Sequence, residues 1–198
     1  MKPRLYMIIP CYNEEKVLPI TSEMFLEELN LLITKDKISE NSRILFVNDG
    51  SKDKTLEILE NIAEKDENVK VISFSRNFGH QAAVTAGLQY VTGDAIVIMD
   101  ADLQDPPELI LDMIKYYEEG YDDIYAKRRS REGESWLKKF TSKKFYRLLQ
   151  SVSRVPIQTD TGDFRLLSRR AIEALKSFPE KQRYTKGMFS LIGFKKKE

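Results

Sequence analysis

Ala95-Ile96-Val97-Ile98-Met99-Asp100-Ala101-Asp102-Leu103-Gln104-Asp105-Pro106-Pro107-Glu108 is an unbroken apolar run that ends in a burst of carboxylates and then two prolines. A run this short and apolar predicts a strand of a parallel sheet covered on both faces. Pro107 suits the first turn of a helix running from Glu108 to Glu119, with Gly120 at its end. In open α/β sheets, ligands collect in the crevice outside the carboxyl ends of the strands. Asp100 and Asp102 stand two residues apart, so an extended backbone projects both carboxylates to one side. Two neighbouring oxygen ligands are what Mg²⁺ or Mn²⁺ requires, with substrate phosphates and waters completing the shell. An isolated Asp-x-Asp more often does no more than end a strand and cap the next helix. The rest of the chain decides.

Working outward, the same pattern recurs. Leu5-Tyr6-Met7-Ile8-Ile9 predicts a first strand, followed by Pro10-Cys11-Tyr12-Asn13-Glu14-Glu15. Helical spacing then runs from Val17 to Ile33, with Leu18, Met24, Phe25, Leu29 and Leu32 as expected core contacts. Ile44 to Val47 predicts a second strand ending in Asn48-Asp49-Gly50-Ser51, and Ser51 or Asp53 suits the cap of a helix through Ala63. Val69 to Phe74 predicts a third, ending in Ser75-Arg76-Asn77-Phe78-Gly79-His80, with a helix from Gln81 to Val91. Ile124-Tyr125-Ala126 predicts a fifth. Strands alternating with helices of this length mean a parallel sheet with right-handed crossovers, a doubly wound α/β domain. The first four strands each end in polar groups, and a parallel sheet brings all four sets to one edge, which points to a ligand site there. No G-x-G-x-x-G follows the first strand and no Walker loop is present, so dinucleotide and P-loop chemistry are excluded.

Composition narrows the class. The 198 residues are 41% hydrophobic and 32% charged with a net charge of +1, which gives no global argument for nucleic acid. Acids dominate from Asp94 to Asp123, while lysine and arginine crowd Lys127 to Arg147. The single Cys11 excludes an internal disulfide and fits a reducing cytosol. There is neither a signal peptide nor an apolar run of about 18 residues. After Ala126 a polar basic loop leads to a helical pattern over Trp136 to Leu149. There Trp136, Leu137, Phe140, Phe145, Leu148 and Leu149 alternate with Lys138, Lys139, Lys143 and Lys144. It reads either as a solvated charged face or as an amphipathic element facing anionic lipid or a phosphorylated acceptor. Asp163, just before a short apolar segment, reads either as a strand-edge cap or as a carboxylate brought into the site. A last helix is predicted from Tyr184 to Ile192.

Five segments together carry a resemblance: Ile9-Pro10-Cys11-Tyr12-Asn13-Glu14-Glu15, Val47-Asn48-Asp49-Gly50-Ser51, Phe74-Ser75-Arg76-Asn77-Phe78-Gly79, Met99 to Glu108, and Thr161-Gly162-Asp163-Phe164-Arg165. In this order they resemble the family-2 inverting glycosyltransferases of GT-A fold, within them the polyprenyl-phosphate branch of dolichyl-phosphate mannose synthases and bactoprenol glucosyltransferases. Asn48 departs from that pattern, where the family often has an aspartate. The resemblance implies a GT-A type, mostly parallel sheet flanked by helices, with a basic amphipathic helix after the core. It implies a single catalytic domain over 1–198, with a nucleotide-sugar half to about residue 126 and an acceptor half from 127. It further implies Mg²⁺ or Mn²⁺ held by Asp100, Asp102 and Gln104, and a nucleotide diphosphate sugar, UDP-glucose by preference, held by Pro10, Tyr12, Asn13, Glu14, Asp49, Arg76, Asp100 and Ala101. Asp102 and Asp163 take the catalytic roles, Asp163 as base or orienting group. A polyprenyl phosphate acceptor falls to Arg128, Arg131, Lys138, Ser142 and Arg165. His80 is expected to be structural. The expected setting is the cytoplasmic face of a membrane, with no nucleic acid, homo-oligomerisation through a C-terminal region, and a membrane segment following Lys195-Lys196-Lys197-Glu198. Two rivals are a family-2 enzyme acting on a hydroxyl acceptor such as a polysaccharide, and a non-catalytic nucleotide-sugar-binding module. A nucleotidyltransferase fits less well, because Cys11-Tyr12-Asn13 replaces its glycine-rich basic loop.

Overall fold

The computed structural model describes residues 2–127, 161–178, 188–189 and 191–198. In chain order its elements are β1 (Leu5–Cys11), α1 (Leu18–Thr34), β2 (Arg43–Asn48), α2 (Thr55–Lys65), β3 (Val69–Ser73), α3 (His80–Tyr90) and β4 (Ala95–Ile98). A 3₁₀ turn at Pro107–Leu109 then runs into α4 (Ile110–Glu118), followed by β5 (Asp123–Lys127), β6 (Thr161–Ser168), α5 (Arg169–Lys176) and β7 (Lys196–Lys197). The strands form one sheet in the order β3-β2-β1-β4-β6-β5-β7. The pattern of the inner strands follows from two covered faces. Leu5, Met7, Ile9, Ile44, Phe46, Ala95 and Val97 pack on one side with Phe25, Leu29, Leu59 and Ile114 from α1, α2 and α4. Ile8, Leu45, Val47, Ile96 and Ile98 pack on the other with Val84, Leu88, Ile172 and Leu175 from α3 and α5. Alternate residues of one strand therefore enter different cores, and both are apolar. This is the expected α/β sandwich.

β1 runs parallel to β2 on one side and to β4 on the other, and β2 runs parallel to β3. The chain thus winds outward in both directions from the gap between β1 and β4, and that gap is the switch point where crevices open. Pro10 marks it. Ile8 O accepts from Met99 N–H, so even-numbered residues of β1 turn their backbone polar groups toward β4. Pairing with β4 stops at Ile8↔Ile98, and Pro10 falls beyond it, where its missing N–H removes no ladder bond.

The sheet is mostly parallel, as expected, and its exception lies beside β4. β6 is inserted between β4 and β5 and is antiparallel to both, so the predicted fifth strand is not β4's neighbour. β7 then pairs parallel to β5, with Asp123↔Lys196 and Ile124↔Lys197. β6, α5 and β7 were not foreseen as elements. On α1, Met24 faces outward at 39% exposure, and Thr21 and Ser22 are buried instead. The helix expected at 136–149, and most of that expected at 184–192, lie outside the described residues. Each C-terminal lysine lies against the domain itself. Lys195 Nζ is 3.8 Å from the Tyr121 ring centre, Lys197 Nζ is 4.9 Å from that of Tyr116, and Lys196 Nζ is 3.8 Å from Asp123 Oδ2.

Candidate active site

The carboxyl ends of β1 to β4 open into one cleft of about 230 Å³. Its lining comes from the residues after each strand: Pro10, Cys11, Tyr12 and Glu14 after β1, Asp49 after β2, Asn77 and His80 after β3, and Asp100, Ala101 and Asp102 after β4. Of the expected nucleotide and metal residues, Pro10, Tyr12, Glu14, Asp49, Asp100, Ala101 and Asp102 are therefore brought together.

The loops around the cleft are tied to one another by side chains. Asn13, in a left-handed conformation at φ 57°, donates its N–H to Ser51 Oγ at 3.0 Å and accepts at Oδ1 from Lys52 N–H at 2.9 Å. The N–H of Glu14 donates to Thr55 Oγ1 at 2.7 Å, and Glu15 accepts from Lys54 N–H at 3.0 Å. Asn13 thus holds the β1 loop on the β2 loop. Asn48, the departure from the family pattern, is buried and donates its amide to Ser73 Oγ at 2.9 Å while accepting from Ser51. A carboxylate lacks the donor for that first bond.

Asp49 holds the third loop. Its two carboxylate oxygens accept from the N–H groups of Phe78 and Gly79, at 2.7 and 2.8 Å, immediately before α3 begins. The expectation for Asp49 was contact with the nucleotide. What the structure places on it is the backbone that positions His80. Gly50 makes the docking feasible, since at φ 61° an added Cβ would lie 2.2 Å from the Arg76 carbonyl carbon. Gly50→Ala is accordingly expected to cost about 1–3 kcal/mol for the left-handed backbone alone and to weaken donor binding by moving the Arg76–His80 loop. Denaturant titration alongside calorimetry checks this, and unchanged donor affinity would refute the coupling. Arg76 itself is exposed with its guanidinium 4.2 Å above the Phe78 ring, beside the cleft rather than lining it.

Acidic groups crowd the cleft. Burial pushes the Glu14 carboxyl above the usual carboxylate range, and the charges of Asp102, Asp53 and Asp100 push it the same way. The Asp100 carboxyl is likewise raised, first by burial; Asp163 and Asp102 add to this and His80 opposes it. Such mutual repulsion between carboxylates is relieved by a cation. Asp102 and Gln104 are exposed and linked, the Gln104 backbone and side-chain amides both donating to Asp102. Asp163, at the start of β6, reaches the cleft: its Oδ2 is 3.2 Å from His80 Nε2, which is 4.0 Å from Asp100 Oδ1. Among the described residues, His80, Asp100 and Asp163 offer three ligand atoms all within 4.8 Å of one another. A nitrogen and two carboxylate oxygens suit a divalent metal ion, so the residues present fit the implied cofactor.

Sequence reasoning set His80 aside as structural, and the structure places it inside the cleft. The signal available was position: it follows the polar end of the third strand, as Glu14 and Asp49 follow theirs. Cys11 also lines the cleft, yet burial pushes its thiol far up, so it is inert there. Arg165, expected among the acceptor contacts, lies in the interior of the fold. It is 1% exposed, with its guanidinium 3.2 Å from Asp123 Oδ1 and 3.9 Å above the Phe189 ring. Arg128, Arg131, Lys138 and Ser142 lie outside the described residues.

Comparison with known proteins agrees with this architecture. The profile described as "Glycosyl transferase family 2" matches residues 6–176. The chain is 54% identical over 127 residues to the uncharacterized glycosyltransferase YkcC of Bacillus subtilis, covering 64% of this chain and 39% of that protein. It is 44% identical over 124 residues to the prophage bactoprenol glucosyl transferase homolog of Escherichia coli, covering 63% and 40%. The matched segment thus spans about two fifths of these curated relatives. Among solved structures, the mannosyltransferase PcManGT of Pyrobaculum calidifontis, in complex with GDP-Man and Mn²⁺, superposes with a TM-score of 0.63 at 20% identity, covering 100% of this chain and 55% of that one. That likeness is one of fold. With a switch-point cleft lined by carboxylates and a profile match over most of its length, the chain belongs to glycosyl transferase family 2.

Proposed function

We propose that this domain transfers a hexose from a nucleotide diphosphate sugar, with UDP-glucose as the preferred donor, to a polyprenyl phosphate with inversion at the anomeric carbon. The observation that carries the reading is the convergence of Glu14, Asp49, Asp100, Asp102 and Asp163 on the cleft at the switch point. The bactoprenol glucosyl transferase homolog among the relatives supports the acceptor class. Pro10, Tyr12, Asn13 and Glu14 border the nucleotide, and Asp49 fixes the loop on its other side. Asp100, Asp102 and Gln104, or Asp100 with its neighbours, would hold a divalent ion, which would supply positive charge against the departing diphosphate. In the transfer, a phosphate oxygen of the acceptor forms a bond to the anomeric carbon. The bond from that carbon to the diphosphate breaks, and its electron pair leaves with the nucleoside diphosphate. The acceptor needs little help from a base, because a phosphate monoester has its second pKa at about 6. It needs positive charge to hold it, and Arg128, Arg131, Lys138 and Ser142 are assigned that task.

Among the described residues no helix is long and apolar enough to cross a membrane. A polyprenyl phosphate lies in the bilayer, so the site has to meet a membrane surface, on the cytoplasmic side where nucleotide sugars are made. The test uses purified protein with Mn²⁺, UDP-glucose and polyprenyl phosphate in detergent. Lipid-linked glucose is the expected product, and the Arg131→Ala/Lys138→Ala pair is expected to raise the acceptor KM about tenfold or more while moving the donor KM little. Equal shifts in both constants sink the acceptor assignment. Glycosylation of a water-soluble hydroxyl acceptor alone, with strict dependence on Asp163, establishes the polysaccharide reading instead.

A further inference from the structure

His80 lines the cleft, and the functional reading gives it no task. Its neighbours are set by the sheet. β4 pairs antiparallel with β6 from Ala95↔Ser168 to Ile98↔Arg165. Continuing that register by two residues, 98 + 2 and 165 − 2, puts Asp100 opposite Asp163. Like charges directly opposite on adjacent strands are destabilising unless something cationic lies between them. The imidazole enters that space from the first residue of α3, a helix start fastened by the two backbone bonds to Asp49. The three side chains are 39%, 37% and 15% exposed, for His80, Asp100 and Asp163 in turn, while His80 Nε2 itself is buried and turned toward the two carboxylates.

The spacing is that of ligands sharing one ion. Two donor atoms about 2.1 Å from the same metal stand roughly 3 Å apart when adjacent and about 4.2 Å apart when opposite. His80 Nε2 is 3.2 Å from Asp163 Oδ2 and 4.0 Å from Asp100 Oδ1. Asp102 and Gln104, meanwhile, are bonded to each other at the cleft rim.

We propose that His80 is a direct ligand of the divalent cation, together with Asp100 and Asp163, and that its nitrogen makes the site select Mn²⁺ over Mg²⁺. Mg²⁺ demands oxygen ligands and keeps its waters, whereas transition ions accept a mixed nitrogen and oxygen set. The inference rests on the proposed function in taking the ion to be the donor's metal. It also gives Asp163 a place as ligand and orienting group, which a phosphate acceptor permits because it brings its own negative charge.

The chain contains one histidine, which makes the test unambiguous. Protein labelled with ¹⁵N only at histidine and loaded with Mn²⁺ and UDP is expected to show, by pulsed EPR, a directly bound nitrogen whose coupling changes with the isotope. Calorimetry on His80→Ala is expected to find Mn²⁺ affinity reduced about tenfold or more, since losing even a hydrogen-bond partner behind a metal ligand costs ~10–100-fold. Mg²⁺ affinity should fall by less than about threefold. Bound Mn²⁺ without histidine coupling, or equal losses for both metals, overturns the inference, and glucose transfer by the same Mn²⁺-loaded sample then leaves the proposed function standing. A wild-type chain that binds no Mn²⁺ and transfers no hexose overturns both. If His80→Ala fails to fold, the isotope result on the wild-type chain decides alone.

Discussion

Asp100→Asn is expected to lower hexose transfer about a thousandfold, a loss of ~4 kcal/mol in transition-state stabilisation. The carboxylate stands in both ligand sets, beside Asp102 in the sequence and beside His80 and Asp163 in space. An amide of the same shape keeps the packing but is a poor ligand for a hard cation. The substitution also removes one of the charges that repel each other in the cleft. The variant should therefore melt, without metal, no lower than the wild-type chain. Activity lost while stability is kept or raised separates a functional charge from a structural one. Steady-state kinetics with Mn²⁺ and a thermal melt measure the two halves. Turnover within about tenfold of wild type would mean that neither ligand set is the metal's.

Arg165→Ala is expected to have the opposite signature, with stability lost first. Arg165 and Asp123 are both buried, and burial is the main influence on each, depressing the guanidinium and raising the carboxyl. Removing one partner of such a pair leaves an uncompensated charge in the interior, at about 3–5 kcal/mol. For a chain of this length that corresponds to a fall in Tm of about 10 °C. Lys196 softens the loss but lies 3.8 Å from Asp123 on the far edge strand. Replacing both partners together, Arg165→Met with Asp123→Leu, should recover most of the stability, because the desolvation cost of both charges disappears. A single-variant loss below about 1 kcal/mol, the range of surface pairs, refutes the strut. Because Asp163 precedes Arg165 by two residues on β6, loosening this pair also loosens the cleft.

The inner strands were legible because their pattern is local. Ile44 to Val47 and Ala95 to Ile98 are apolar at every position, and only burial on both faces makes that tolerable in water. The polar residues after each strand were legible for the same reason, and once parallel strands are inferred they must meet at one edge. Glu14, Asp49, Asp100 and Asp102 follow strand ends in just this way, and all four line the cleft. The chemistry of each strand end was less legible. Asp49 reads in the sequence as a free acceptor, yet its oxygens are taken by Phe78 and Gly79 N–H groups. No short motif records which backbone will fold back onto a side chain.

What the sequence by itself determined is the α/β class, the inner strands and the edge at which ligands collect, since unbroken apolar runs and polar strand ends are written within a few residues of each other. What only the tertiary structure decided is the company each group keeps. β6 slips between β4 and β5 and runs against both, because strand order is set by pairing between segments far apart in the chain, and alternation within a segment carries no label for its neighbour. From that one insertion follow the approach of Asp163 to Asp100 and His80, and the burial of Arg165 on Asp123. A histidine after a glycine and an arginine in an apolar segment look alike as isolated letters. Their environments differ because one lies in a cleft open to water, while the other lies where a charge survives only beside its partner.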